Sequence, residues 1–163
     1  MTPADDVARV STVVAVDPAT AFAVFTEEID AWWRRGPRWR FHSDREGSLR
    51  FEPGVGGRLL ESYPDGGEHV VGEIQVWEPG RRLVFGWRGR DFEPGERTEV
   101  EVRFERVAAG TRVTLEHRGW AALRPDHPAR HGLAGPAFTA MIGLFWGDLF
   151  TRMRHHAARR AAS

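Results

Sequence analysis

Between Ser48 and Trp120, apolar and polar residues alternate with period two. The alternation is cut at Pro53-Gly54, Pro64-Asp65-Gly66-Gly67, Pro79-Gly80, Glu93-Pro94-Gly95 and Ala109-Gly110. Period two sends successive side chains to opposite faces of a sheet, and each Gly/Pro break supplies a tight turn. The stretch therefore reads as an antiparallel meander with strands near 48–52, 57–63, 68–78, 82–88, 97–107 and 111–119. Val100, Val102, Phe104, Val113, Leu115 and His117 fall on one face, as do Leu83, Phe85 and Trp87, and Val70, Ile74 and Val76 with Gly72 among them. Glu99, Glu101, Arg103, Glu105, Arg112, Glu116 and Arg118 fall on the other, so one face is expected dry and the other solvated.

A further strand is expected over 9–16, rich in β-branched residues. Asp17 can cap a helix whose first position is Pro18, and Phe22, Phe25, Ile29, Trp32 and Trp33 form its apolar stripe as far as the stop at Gly36-Pro37. Residues 123–136, with three prolines and two glycines, read as an irregular connection. Beyond them Phe138, Met141, Ile142, Phe145, Leu149 and Met153 recur at helical spacing for about six turns. Arg152, Arg154, His155, His156, Arg159 and Arg160 complement the negative end of that helix's dipole.

Strand, helix, meander and long helix leave few ways to bury one sheet face. The expected class is α+β: a curved antiparallel sheet of about seven strands wrapped around the C-terminal helix. We expect one domain over 8–158, with short tails at 1–7 and 159–163. A curved sheet and a straight rod cannot touch along their whole length, so an apolar gap between them is expected.

The 23 basic residues, all Arg, cancel the 23 acidic ones, so no global field draws the chain to nucleic acid or an acidic membrane. No cysteine is present, which excludes thiol nucleophiles, disulfides, Cys-based zinc sites and iron–sulfur clusters. No run suggests a signal peptide or membrane span, and a cytoplasmic location is expected.

Several stretches carry a resemblance to the SRPBCC superfamily (START and Bet v 1-like, helix-grip fold), within its Hsp90-ATPase-activator homologue-like branch. They are Asp17-Pro18 leading to Ala21-Phe22 and Trp32-Trp33, Gly56-Gly57-Arg58, Gly72-Glu73-Ile74, Pro79, Arg82-Leu83-Val84-Phe85-Gly86-Trp87, and Gly110 to His117. The chain also resembles small actinobacterial proteins that protect enediyne producers, notably over Glu68-His69 to Trp87. The resemblance implies a hydrophobic cavity between sheet and C-terminal helix, used within the superfamily for lipids, sterols, polyketides or aromatic hormones.

On that basis the expected cavity wall is Trp33, Trp39, Phe41, Phe51, Phe85, Trp87, Val102, Phe104, Leu115, His117, Met141, Phe145, Trp146 and Leu149. Arg38 and Arg40, interleaved with Trp39 and Phe41, are expected at its mouth, where a guanidinium can clamp an anionic group of the ligand. The first functional reading is a protein that holds a small apolar or aromatic molecule for sequestration, transport or self-resistance. The second is a cyclase, dehydratase or hydrolase using His117 with Glu61 or Tyr63 for proton transfer; the third is an interaction module related to the Hsp90 activators. No cofactor and no metal is expected, since His127/His131 and His155/His156 are poorly spaced for a site, and the oligomeric state, a homodimer included, is open.

Overall fold

The computed structural model describes residues 7–41, 46–89 and 91–162. Its strands are β1 (Val7–Val14), β2 (Ser48–Phe51), β3 (Arg58–Ser62), β4 (Glu68–Glu78), β5 (Arg82–Trp87), β6 (Thr98–Val107) and β7 (Gly110–Arg118). They form one seven-stranded antiparallel sheet in the order β1-β7-β6-β5-β4-β3-β2. The meander thus runs unbroken from β2 to β7, and the N-terminal strand completes it by pairing with β7 from Val7↔Arg118 to Val14↔Thr111. Helices α1 (Pro18–Thr26), α2 (Ile29–Trp32) and α3 (Gly135–Ala162) lie on the concave face, α3 packing chiefly along β1. This is the α+β helix-grip arrangement expected from the order of elements. Of the expected tails, residues 1–6 and Ser163 lie outside the described residues, and 159–162 continue α3.

The first helix is broken rather than continuous to Gly36. Asp17 caps it, accepting from the Thr20 N–H at 2.8 Å. At its end the Glu28 N–H reaches back to the Ala23 carbonyl and Glu28 takes φ −110°, so α2 starts on a new axis. Neighbouring residues of one straight helix point about 100° apart, which would turn Trp32 or Trp33 out of the core. Because α2 ends at Trp32 and Trp33 turns extended at φ −70° and ψ 132°, both are buried, at 1% and 2% exposure, while the earlier break sets the direction of α2. The Trp32 indole N–H donates to the Val24 carbonyl at 2.9 Å across that break.

Strand β4 also departs from strict alternation. Register shifts at Leu59/Leu60 and at Ile74/Val76 turn Val71 fully inward and leave Val70 38% exposed, so Val70 does not share the dry face with Ile74. At Gly72 the backbone comes so close to β5 that an added Cβ would sit 1.8 Å from the Gly86 carbonyl oxygen.

On the convex face Glu101 is only 3% exposed, because three arginines cover it. Arg82 and Arg103 donate to its Oε2 at 2.5 and 2.9 Å, and Arg118 to its Oε1 at 2.7 Å. Burial alone would raise the carboxyl pKa, but the bonds from Arg82, Arg118 and Arg103 outweigh it and hold the group at about 2, against an ordinary 4.5.

Two predictions follow from these packing facts. Gly72→Ala should lower stability by roughly 2 kcal/mol or more in urea denaturation, because backbone rather than a side-chain tip must move; an unchanged midpoint would show the approach is slack. Glu101 has a depressed folded pKa, so its contribution is complete above pH 4.5 and fades as pH falls toward 2. Glu101→Gln should therefore cost about 2 kcal/mol at pH 7 and flatten the acid limb of the stability profile. A parallel profile for the variant would assign the acid limb to other groups.

Candidate functional site

The space under the sheet is filled at one end and hollow at the other. At the filled end Phe22, Phe25 and Phe104 pack together with ring centroids 5.2–6.3 Å apart, and Phe25 meets Phe51, which meets Phe85 at 5.2 Å. Moving along the strands toward the other end, β5 passes from Phe85 to Trp87, β7 from Leu115 to His117, and β6 begins with Thr98 opposite Trp87. Here α3 presents Met141, Ile142 and Phe145, all only partly buried.

A hollow of about 230 Å³ lies at this end. Its rings are Trp87, Phe92, Trp120, Phe145 and Trp146, its aliphatic wall is Ala129, Met141 and Ile142, and its polar groups are Arg38, Asp91, His117 and His131. Arg38, Asp91 and His131 are exposed and mark the mouth. The rings hold one another: Trp87 meets Trp146 at 5.4 Å and His117 at 5.3 Å edge to face, and His117 lies tilted 4.5 Å from Trp120. The walls nearest the mouth come from two loops. Residues 88–97 join β5 to β6, and 119–134 join β7 to α3. Glu96 ties them together, accepting from His127 at 3.0 Å while Arg124 stands 3.7 Å away. Arg130 secures the second loop by donating to the carbonyls of Trp120 at 2.5 Å and Leu123 at 3.0 Å.

His117 is the buried polar group of the wall, and its hydrogen bonds run in one direction. The Trp146 indole can only donate, so His117 Nδ1 accepts from it at 3.0 Å. The proton therefore sits on Nε2, which donates to the Thr98 hydroxyl at 2.7 Å, and that hydroxyl donates to the Trp87 carbonyl at 3.3 Å. Desolvation pushes the imidazole pKa down from 6.5 to about 3, so the ring is neutral. Both nitrogens are engaged, and neither a lone pair nor a proton is left for a ligand.

Of the residues expected to line the hollow, Trp87, His117, Met141, Phe145 and Trp146 do so, and so does Arg38 at the mouth. Trp33, Trp39 and Phe41 form the layer behind: Trp33 packs on Trp146 at 5.4 Å, Trp39 stacks on Phe145 at 4.9 Å, and Phe41 contacts Trp87 at 5.3 Å. Phe51, Phe85, Val102, Phe104, Leu115 and Leu149 belong to the filled core. Arg40 is not at the mouth. It is 6% exposed and binds Asp30 at 2.6 Å and the carbonyls of Trp33 and Arg34, which fixes the chain after α2.

Glu61 and Tyr63 bond to each other at 2.7 Å, with the Phe41 N–H also donating to Glu61. Glu61 lies on β3 and Tyr63 just beyond its end, separated from His117 on β7 by three intervening strands, and they do not form a cluster with it. A wider groove of about 650 Å³ runs past Arg34, Arg35 and Arg152, but its charges are spent. Arg34 grips Asp148 with two bonds, Arg35 reaches Asp30, and Arg152 donates to the Trp32 carbonyl. Among the described residues no group of three His, Asp or Glu side chains converges to hold a metal. Sequence reading missed Asp91, Phe92, Trp120 and His131 because they stand in loops where no periodicity assigns a face. The signal available was that two aromatic residues, Phe92 and Trp120, adjoin Gly-rich breaks.

The family model described as Activator of Hsp90 ATPase homolog 1-like protein matches residues 15–135. Protein NE0264 from Nitrosomonas europaea superposes with a TM-score of 0.64 at 16% identity, covering 98% of this chain and 99% of its own. DynU16, a protein of the dynemicin biosynthetic locus, gives 0.62 at 20% identity over 93% of this chain, which spans 47% of DynU16. At those identities the likeness is one of fold. Txn09, an anthrahydroquino-gamma-pyrone synthase solved as a complex, is 31% identical with a TM-score of 0.55, covering 92% of this chain and 96% of its own. No curated protein matches the chain.

The locked imidazole yields a prediction. A histidine whose folded pKa lies below its unfolded value stabilises the fold fully above pH 6.5 and loses that contribution as pH falls toward 3. Stability should drop by about 2 kcal/mol between pH 7 and pH 5, and His117→Gln should remove most of that slope in urea titrations at the two pH values. An unchanged slope in the variant would place the titrating group elsewhere.

Proposed function

The chain belongs to the Activator of Hsp90 ATPase homolog 1-like family, and from that premise we propose that it holds a planar aromatic small molecule between sheet and α3, working in the cytoplasm. The observation that carries the reading is the hollow itself. Its rings come from β5, α3 and both mouth loops, and they are held in place by one another and by a layer of further rings behind them. Burial of a flat apolar ligand against such walls is driven by the area removed from water and guided by ring stacking. A volume of about 230 Å³ suits about two or three fused rings and is too small for a sterol or a long acyl chain, so larger substituents extend through the mouth past Arg38.

A second reading, an enzyme of aromatic polyketide metabolism, is favoured by one finding. The relative that is 31% identical is named as a synthase of an anthrahydroquino-gamma-pyrone. It needs the same ligand in the same hollow. His117 would then shape the wall and leave proton transfer to another group.

The test is a titration of the protein with 1,2-dihydroxyanthraquinone, 2-naphthol and decanoate, followed by tryptophan fluorescence. The anthraquinone should quench saturably and raise the melting temperature, and decanoate should bind at least roughly tenfold more weakly. Ile142→Trp, which fills the hollow from a partly buried position, should weaken the anthraquinone by roughly tenfold or more without loss of stability. Absence of saturable quenching by either aromatic probe would overturn the reading.

A further inference from the structure

Four ionisable groups line the hollow: Arg38, Asp91, His117 and His131. His117 is locked between Trp146 and Thr98, and Arg38 lies with its guanidinium 5.1 Å from the Trp39 ring. Asp91 and His131 remain. Neither side chain makes a hydrogen bond or an ion pair among the described residues, whereas the charged groups around them are engaged. His127 is bonded to Glu96, Arg124 stands between Glu96 and Asp126, Arg88 donates to the carbonyls of Glu93 and Glu96, and Arg130 donates to three carbonyls.

The chain also holds His131 in an unusual place. It closes the short helical turn Pro128–Arg130 with φ 48° and ψ 36°, the left-handed region that non-glycine residues seldom enter, and its own N–H is bonded to the Pro128 carbonyl at 3.1 Å. The same turn is fixed by Arg130 and, through His127 and Glu96, to the loop that carries Asp91. Two opposite ionisable groups are thus held at one rim, beside a guanidinium, over a wall of aromatic rings.

We propose that His131 is the general base of this site and takes the proton of an acidic hydroxyl, phenolic or enolic, on the aromatic molecule bound in the hollow. This rests on the binding reading above. The O–H bond breaks, an N–H bond forms on the imidazole, and the electron pair stays on oxygen. Asp91 balances the imidazolium and Arg38 faces the oxyanion. The charged oxygen is a nucleophile for a ketone carbon of the same molecule. On addition the ketone oxygen takes up the proton as a hydroxyl. That hydroxyl then leaves as water with one hydrogen of the neighbouring methylene, leaving a carbon–carbon double bond. The class of reaction is a ring closure through oxygen with loss of water, and it needs neither oxidant nor reductant.

The experiment uses 1,2-dihydroxyanthraquinone, whose visible band shifts when a hydroxyl ionises. Bound to the wild-type chain, the dye should ionise at a pH about one unit lower than in free solution, a tenfold gain in acidity. The groups facing the transferred proton are Arg38, Asp91 and His117 across the hollow, Arg130, Arg124, Asp126 and His127 on the same loop, and Glu93 and Glu96 opposite. Arg38 is present in every variant below. His131→Asn, which tolerates the left-handed backbone, should return the midpoint to that of the free dye while tryptophan quenching shows binding within about threefold of wild type. Asp91→Asn should remove about half of the shift. If the bound dye titrates alike in wild type and His131→Asn, or like the free dye in both, the proton-transfer proposal falls and the binding reading stands. If the dye fails to quench the wild-type chain, both fall together.

Discussion

One hydrogen bond, from the Trp146 indole to His117 Nδ1, decides how the long helix meets the sheet at its open end. Trp146 stands midway along α3 and His117 near the end of β7, and their bond continues through Thr98 of β6 to the Trp87 carbonyl of β5. A helix and three adjacent strands are therefore linked by a directed chain in which each donor has one acceptor. In a water-free interior such a chain is strong when complete and costly when any member is removed. Elsewhere the helix is held by apolar packing and, on its more exposed side, by the bonds of Asp148 with Arg34 and of Arg152 with the Trp32 carbonyl. At this end the bond fixes its rotation and sets Trp146 edge to face against Trp87, with centroids 5.4 Å apart, as one wall of the hollow.

The filled end and the hollow end have separate tasks. Phenylalanines, together with Val102 and Leu115, pack the sheet against α1 and the second half of α3, and they supply the burial that offsets the conformational entropy of a long meander. With that burial secured, the other end can remain incompletely packed. On the outer face, Glu101 and its three arginines stiffen β5, β6 and β7, the strands that carry Trp87, Thr98 and His117. Convex charge and concave rings thus act on the same strands.

The sequence was most legible where one rule acted alone. Alternation in β6 and β7 identified the dry face correctly from Val100 to His117, and Gly/Pro breaks located every turn of the meander. It was less legible where two constraints competed. Two bulges in β4 reversed the facing of Val70 and Val71, and the end of α2 at Trp32 lets Trp33 turn extended so that both indoles face inward, an arrangement a straight helix forbids. Arg40 looked like a mouth residue because it interleaves with Trp39 and Phe41 as Arg38 does, but its fork matches carbonyls and a carboxylate inside. Concave residues were identifiable as a set, while the division between filled and hollow was not, since it depends on the summed volume of rings from strands, helix and loops together. The rim residues Asp91 and His131 stand in loops, where no period exists to be read.

Glu96 has a bearing on how the two loops beside the hollow move. Because one carboxylate holds His127 on one loop and braces its own loop through the Glu93 N–H, displacing either loop breaks a bond to the same group. The two borders of the hollow are therefore coupled and do not behave as independent hinges.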